Sequence, residues 1–167
     1  MKEYNSLNNN KKYKILFVCL GNICRSPAAH AVMQHLVDEA GLADQFEIDS
    51  AGIGGWHVGQ LPDERMRRHG RKRGYRIDHR AKQFSARRDF PYYDVIYVMD
   101  EENYRIVTSR AESEEEKSKV RRLADYLTEH RAATVPDPYY GGPEDFEYAL
   151  DLIEDACGGL LRQFTGV

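Results

Sequence analysis

The chain has 167 residues, a formal net charge of −3 and 31% charged residues. That length fits one domain. The near-neutral balance removes any global case for nucleic-acid binding, and no apolar run approaches the roughly 20 residues of a membrane-spanning helix.

Residues 1–12 are polar and Asn-rich and lack the apolar stretch of a secretory signal. They read as a disordered or extraneous tail ahead of a domain over 13–167. The first apolar run, Ile15-Leu16-Phe17-Val18, predicts a strand. It runs into Cys19-Leu20-Gly21-Asn22-Ile23-Cys24-Arg25, and a helix is expected from Ser26-Pro27, with Ser26 as N-cap and Pro27 in the first turn. Ala29, Val32, Met33, Leu36, Val37 and Ala40 keep helical spacing until Gly41. Phe46 to Asp49 alternates as a short strand that ends at Ser50-Ala51-Gly52.

A glycine-rich loop then carries Trp56, the single tryptophan, and Pro62-Asp63-Glu64-Arg65 opens a basic helix that Gly70 or Gly74 ends. A helical turn near Ser85–Arg88 precedes the continuous apolar run Val95-Ile96-Tyr97-Val98-Met99, the pattern of a strand buried on both faces. Asp100 is placed to cap the next helix, through Val107. Glu112–Lys119 is a charged surface segment, Val120–Leu123 a fourth strand, and Pro136–Pro143 a turn-rich loop. In the last helix Phe146, Ala149, Leu150, Ile153, Cys157, Leu160, Leu161 and Phe164 share one face.

Alternating strands and helices imply an α/β fold in three layers, a four-stranded parallel sheet covered by helices on both faces. Ligands of such folds bind beyond the C-terminal ends of strands, which is where the Cys19 loop falls. A loop at a helix N-terminus offers backbone N–H groups and a favourable dipole to an anion. The same field favours the thiolate of Cys19, and the Arg25 fork matches phosphate oxygens in pairs. The combination is a nucleophile beneath an oxyanion cradle. On the residues alone Asp137 is equally well read as a turn residue, and His79 as a solvent-facing histidine.

The charge is uneven. Eleven Lys/Arg and one acid lie between Arg65 and Arg88, and six acids with no Lys or Arg between Tyr139 and Leu161. The basic stretch reads first as a solvated face and second as a field that steers anionic substrates. The three cysteines, with no CxxC pair and no zinc spacing, fit a reducing, cytoplasmic setting and a thiol enzyme better than a disulfide scaffold.

The pattern Cys-x5-Arg-Ser-Pro after a first strand, with Ser50-Ala51-Gly52, Trp56-His57-Val58-Gly59 and Asp137-Pro138-Tyr139-Tyr140-Gly141, resembles the low-molecular-weight protein tyrosine phosphatases over roughly Lys14–Phe164. The resemblance implies hydrolysis of phosphotyrosine on proteins, with Cys19 as nucleophile, Arg25 as phosphate clamp and Asp137 as general acid and then base. Leu20, Gly21, Asn22, Ile23, Cys24 and Ser26 would form the phosphate loop, Asn22 holding its shape and Ser26 bonding the thiolate. Trp56, Tyr139 and Tyr140 would line the substrate entrance, and Ser50 and His79 would brace the loop from behind. No metal or cofactor is implied, and inorganic phosphate would be product and inhibitor. Asp100-Glu101-Glu102-Asn103 departs from the family's Asp-Arg/Ser-x-Asn and is expected to leave the site alone. Cys24, five positions from Cys19, suits a reversible disulfide with an oxidised Cys19, whereas Cys157 reads as core.

Two same-fold relatives, a carrier of another class and a binding module compete. Arsenate reductases need relay cysteines in mid-chain, and 90–110 has none. Protein arginine phosphatases, as the resemblance has it, carry threonine where this loop has Ile23 and lack the double tyrosine. A phosphocysteine carrier has no use for an acid such as Asp137. An idle phosphotyrosine-binding module does not need the Cys19, Arg25 and Asp137 set.

Overall fold

The structure, a computed structural model, describes residues 12–166. The expected tail lies outside the described residues except for Lys12.

Four parallel strands, β1 (Tyr13–Cys19), β2 (Phe46–Gly52), β3 (Val95–Val98) and β4 (Val120–Arg122), form one sheet in the order β2-β1-β3-β4. The helices are α1 (Arg25–Glu39), α2 (Glu64–Lys72), α3 (Ala86–Tyr92), α4 (Glu101–Ser109), α5 (Glu114–Ser118) and α6 (Pro143–Thr165). Alternation along the strands builds a core on each face. Ile15, Phe17, Val95 and Tyr97 pack with α1 and α6, whereas Leu16, Val18, Ile96 and Val98 pack with Phe90 of α3 and Val107 of α4. Burial on both faces is why these strands read as unbroken apolar runs. Among the described residues no helix is long and apolar enough to cross a membrane.

The punctuation follows local chemistry. Asp63, Ser85, Asp100 and Ser113 each accept a backbone N–H in the first turn of their helix. Gly41 and Gly74 follow α1 and α2 at φ 72° and 90°, the left-handed conformation that ends a helix. The two charge runs meet: Arg73, just past α2, pairs with Glu147, Asp151 and Glu154 of α6. Part of the basic stretch is therefore tied to the acidic helix.

The chain leaves β1 toward β2 and later returns past β1 to build β3, so the direction of winding reverses between β1 and β3. The crevice beyond the C-terminal ends of those two strands is the place such a sheet offers a ligand. It is flanked by the loop after Cys19 and by Asp100.

Candidate active site

The loop from Leu20 to Cys24 is held from outside by its carbonyls. Cys19, Leu20 and Ile23 accept backbone bonds from Ile53 (2.9 Å), Gly54 (2.9 Å) and Asp63 (2.8 Å). The amides of Gly21, Asn22, Ile23 and Cys24 donate to no protein group among the described residues, which leaves that edge of the loop to an anion. Asn22 fixes the curve. It is fully buried and takes a left-handed backbone at φ 59°, where asparagine is tolerated better than most residues. Its Nδ2 donates to Ser26 Oγ (2.7 Å) and Ser50 Oγ (3.1 Å), and its Oδ1 accepts from the Lys82 amide (3.0 Å). Gly52 closes the rear: a Cβ there would lie 2.8 Å from the carbonyl carbon of Gly21 and 2.9 Å from the amide of Asn22.

The start of α1 differs from the sequence expectation. Arg25 is its first residue and Cys24 the cap position, with no side-chain cap bond. Ser26 is not the N-cap, because its hydroxyl is engaged by the loop: Ser26 Oγ lies 3.0 Å from Cys19 Sγ while accepting from Asn22. The cap thus falls two residues earlier than expected, and Arg25 sits in the first turn of the helix.

Arg25 is 2% exposed. Its Nη1 donates to Asp100 Oδ2 (2.7 Å) and to the Val135 carbonyl (2.9 Å), and its Nη2 lies 3.6 Å from Asp137 Oδ2. Burial works against its charge, but Cys19, Asp100 and Asp137 more than offset this and hold the guanidinium protonated. Asp100, which the segment shares with the family's pattern, thus belongs to the site, whereas the departing Glu101 pairs with Arg122 outside the cleft. Asp137 is partly exposed, and its Oδ1 accepts from the Tyr139 amide (3.1 Å), so the turn role and a position in the cleft coexist. The Asp137 loop is tethered by Arg65, which grips Asp63 with two nitrogens, donates to the Tyr139 carbonyl (2.9 Å) and lies over the Tyr139 ring.

A cleft of about 310 Å³ gathers most of the sequence-predicted residues: Cys19, Leu20, Gly21, Ile23, Cys24, Arg25, Trp56, Asp137, Tyr139 and Tyr140. Trp56 and Tyr140 are exposed at its mouth, and Tyr139 meets Tyr140 edge to face at 4.9 Å. Asn22, Ser26 and Ser50 lie buried behind the loop. His57, which sequence reasoning passed over, also lines the cleft. His79 stands further back: its Nδ1 is 3.7 Å from Asp49 Oδ1, and the imidazole that meets Ser50 Oγ (3.2 Å) is that of His30. Burial, then the neighbouring His79, pushes His30 down to about 4. His30 lies one helical turn after Ser26, on the same face of α1, which is the signal that could have found it.

Residues 14–166 match the model of the family described as low molecular weight phosphotyrosine protein phosphatase. A relative from Synechocystis that carries the family's name is 49% identical over 148 residues, spanning 89% of this chain and 94% of the relative. The low molecular weight protein-tyrosine-phosphatase of Streptomyces coelicolor is 42% identical, over 89% of this chain and 92% of its own. Among solved structures, a protein tyrosine phosphatase of Entamoeba histolytica with Hepes in the active site superposes with a TM-score of 0.89 at 41% identity, covering 93% of this chain and 98% of that one. With a matching family model along nearly the whole domain and a fold that carries the cysteine loop at the same switch point, the chain belongs to the low molecular weight phosphotyrosine protein phosphatase family.

Proposed function

We propose that the chain hydrolyses phosphotyrosine on proteins through a phosphocysteine intermediate on Cys19. The observation that carries this reading is that Cys19, Arg25 and Asp137 line one cleft, with Asp137 Oδ2 3.6 Å from Arg25 Nη2. Phosphate oxygens bound by Arg25 and the loop amides put phosphorus above Cys19 Sγ and the bridging oxygen beside Asp137. The sulfur attacks, the S–P bond forms, and the P–O bond to the ring breaks. A phenol of pKa about 10 is a poor leaving group, so Asp137 protonates the departing oxygen. Ser26 Oγ, 3.0 Å from the sulfur, stabilises its negative charge before attack and on departure. Water, deprotonated by Asp137, then attacks the phosphocysteine and releases inorganic phosphate, which also competes for the loop. Arg25 and the amides stabilise the equatorial oxygens in both steps. Trp56, Tyr139 and Tyr140 present aromatic walls to the phenyl ring.

Three free cysteines are consistent with a cytoplasmic, reducing setting, and Cys24 beside Cys19 supports a reversible disulfide as redox regulation. Burial, with Asp63 close by, pushes the Cys24 thiol up, so Cys19, at the floor of the cleft, is the first to meet an oxidant.

A solved structure named as a Drosophila arginine phosphatase superposes with a TM-score of 0.82 at 33% identity, covering 89% of this chain and 96% of that one. Phosphoarginine is therefore the rival substrate; Ile23 and the paired tyrosines in the cleft support phosphotyrosine. Steady-state kinetics on aryl phosphates of graded leaving-group pKa test the proposal. Cys19→Ser is expected to abolish turnover. Asp137→Ala should lose most on poor leaving groups and little on acidic ones. Ordinary activity in Cys19→Ser, or higher kcat/KM on phosphoarginine, overturns it.

A further inference from the structure

Behind the phosphate loop, and separate from the cleft that holds Cys19, three side chains from three parts of the chain converge. They are His30 of α1, Asp49 of β2 and His79 of the segment after α2, and each offers a ligand atom within 4.8 Å of the other two. From this cluster we infer that the protein carries a second site, for a divalent transition metal such as Zn²⁺, with His30, Asp49 and His79 as its protein ligands.

The donor chemistry is suitable. Two imidazoles and one carboxylate suit zinc better than calcium or magnesium, which prefer oxygen. Three protein ligands leave a fourth position for water. The approach is open, since His30 and His79 line a cleft of about 330 Å³ that also presents His35, Asp78 and Tyr75. His79 Nε2 is buried and has no hydrogen-bond partner, an orphan that costs free energy unless something binds it. The His30 and His79 rings lie 5.0 Å apart. Zinc bonds of about 2.0–2.2 Å place tetrahedral ligands about 3.3 Å apart, so the cluster has to tighten by side-chain rotation. Asp49 already has a cation, the Lys82 ammonium paired with Oδ2. A metal ion competes with Lys82 for that carboxylate, and removal of Lys82 should strengthen binding.

The site touches the loop. His30 Nδ1 meets Ser50 Oγ, which accepts from Asn22, and the Lys82 amide donates to Asn22 Oδ1. Occupancy that draws His30 away from Ser50 therefore acts, through Ser50, on the residue that sets the loop's curve.

Metal uptake is measured on Cys19→Ser protein, so that the reactive sulfur is not a ligand, with Zn²⁺ by calorimetry and Co²⁺ by visible absorption. One equivalent is expected, with a four-coordinate cobalt spectrum free of a sulfur charge-transfer band. His30→Gln and His79→Gln should each weaken binding by at least about 100-fold, and Lys82→Met should tighten it. Far-ultraviolet circular dichroism confirms that each variant is folded. If one histidine variant unfolds, the other and Lys82→Met still decide. No uptake at millimolar metal, a sulfur band, or affinities unchanged in the folded histidine variants and in Lys82→Met overturns the inference.

Discussion

Asp100 and Arg25, 75 residues apart, meet at 2.7 Å across the crevice between β1 and β3. One carboxylate does two things: Oδ2 accepts from Arg25 Nη1, and Oδ1 accepts from the Asn103 amide at the start of α4. The helix cap and the anion clamp are thereby a single unit. Asp100→Asn separates them, since asparagine caps a helix well but turns an N–H toward Arg25 or offers it only a neutral acceptor. It should lower kcat/KM by about 10- to 100-fold through a misplaced guanidinium. Asp100→Ala should show that loss and, in thermal unfolding, a further cost of about 1 kcal/mol from the lost cap. Wild-type kcat/KM in Asp100→Asn would mean that the Val135 carbonyl holds Arg25 without help.

Asn22 couples a strained backbone to three hydrogen bonds, and the two contributions can be parted. Glycine takes φ 59° freely, so Asn22→Gly removes only the bonds to Ser26, Ser50 and Lys82. We expect about 2–3 kcal/mol of lost stability and a kcat lower by about 10- to 100-fold. Asn22→Ala adds the strain and should be worse in both measurements. Full activity in Asn22→Gly would assign the role of Asn22 to its backbone alone.

Gly52 is the point where β2 touches the loop. The two nearest atoms its Cβ would meet belong to the Gly21 and Asn22 backbone, so they cannot swing aside as a side chain could. Gly52→Ala should cost about 1–3 kcal/mol in urea unfolding. It should lower kcat/KM out of proportion, by about 100-fold, because the loop itself is displaced. A stability loss with unchanged kinetics would show that the strand yields and the loop does not.

Cys24 makes a prediction under oxidation. Peroxide converts the Cys19 thiolate to a sulfenic acid. The Cys24 thiol can displace water from it to form an S–S bond, which a thiol reductant reopens. Cys24→Ala has no such shelter, so after peroxide it should recover a smaller share of activity with dithiothreitol than wild type does. The discriminating measurement is recovered activity against exposure time; identical curves would remove Cys24 from any protective role.

What the sequence made legible was local. The double-sided burial of Val95–Val98, the cap at Asp100 and the glycine ends of α1 and α2 depend on neighbours within a few positions, and all appear in the structure. The anion loop was legible because strand, cysteine, arginine and helix start are contiguous. Pairings made by the sheet were not. Asp100 with Arg25, and His30 with Ser50, are set by how strands stack side by side; the helical spacing from Ser26 marks the face His30 occupies but not its partner on β2. Ser26 shows the same limit on a small scale. A serine before proline at a helix start reads as a cap, yet a thiol 3.0 Å away claims its hydroxyl.

Asp155, on the far side of α6, gives a prediction about pH. Its carboxylate accepts from the amides of Thr128, Glu129 and His130, from the Thr128 hydroxyl and from His130 Nδ1, and so pins the 128–130 segment to the helix. Burial alone would raise its pKa, but the bonds from Thr128 and His130 outweigh it and hold the group well below the usual carboxylate range. A proton therefore binds the unfolded chain more readily than the folded one. The sign follows: the contribution to stability is complete above the unfolded value of about 3.9 and is lost as pH falls below it. His130 is the titratable partner facing the carboxylate, and Arg162 reaches the same segment through Thr128. Asp155→Asn should be less stable than wild type by about 2 kcal/mol at pH 7. In urea titrations the gap should hold down to about pH 4 and narrow below it. A gap that stays constant to pH 3 would mean that neutral hydrogen bonding or packing, and not the carboxylate's charge, holds the segment in place.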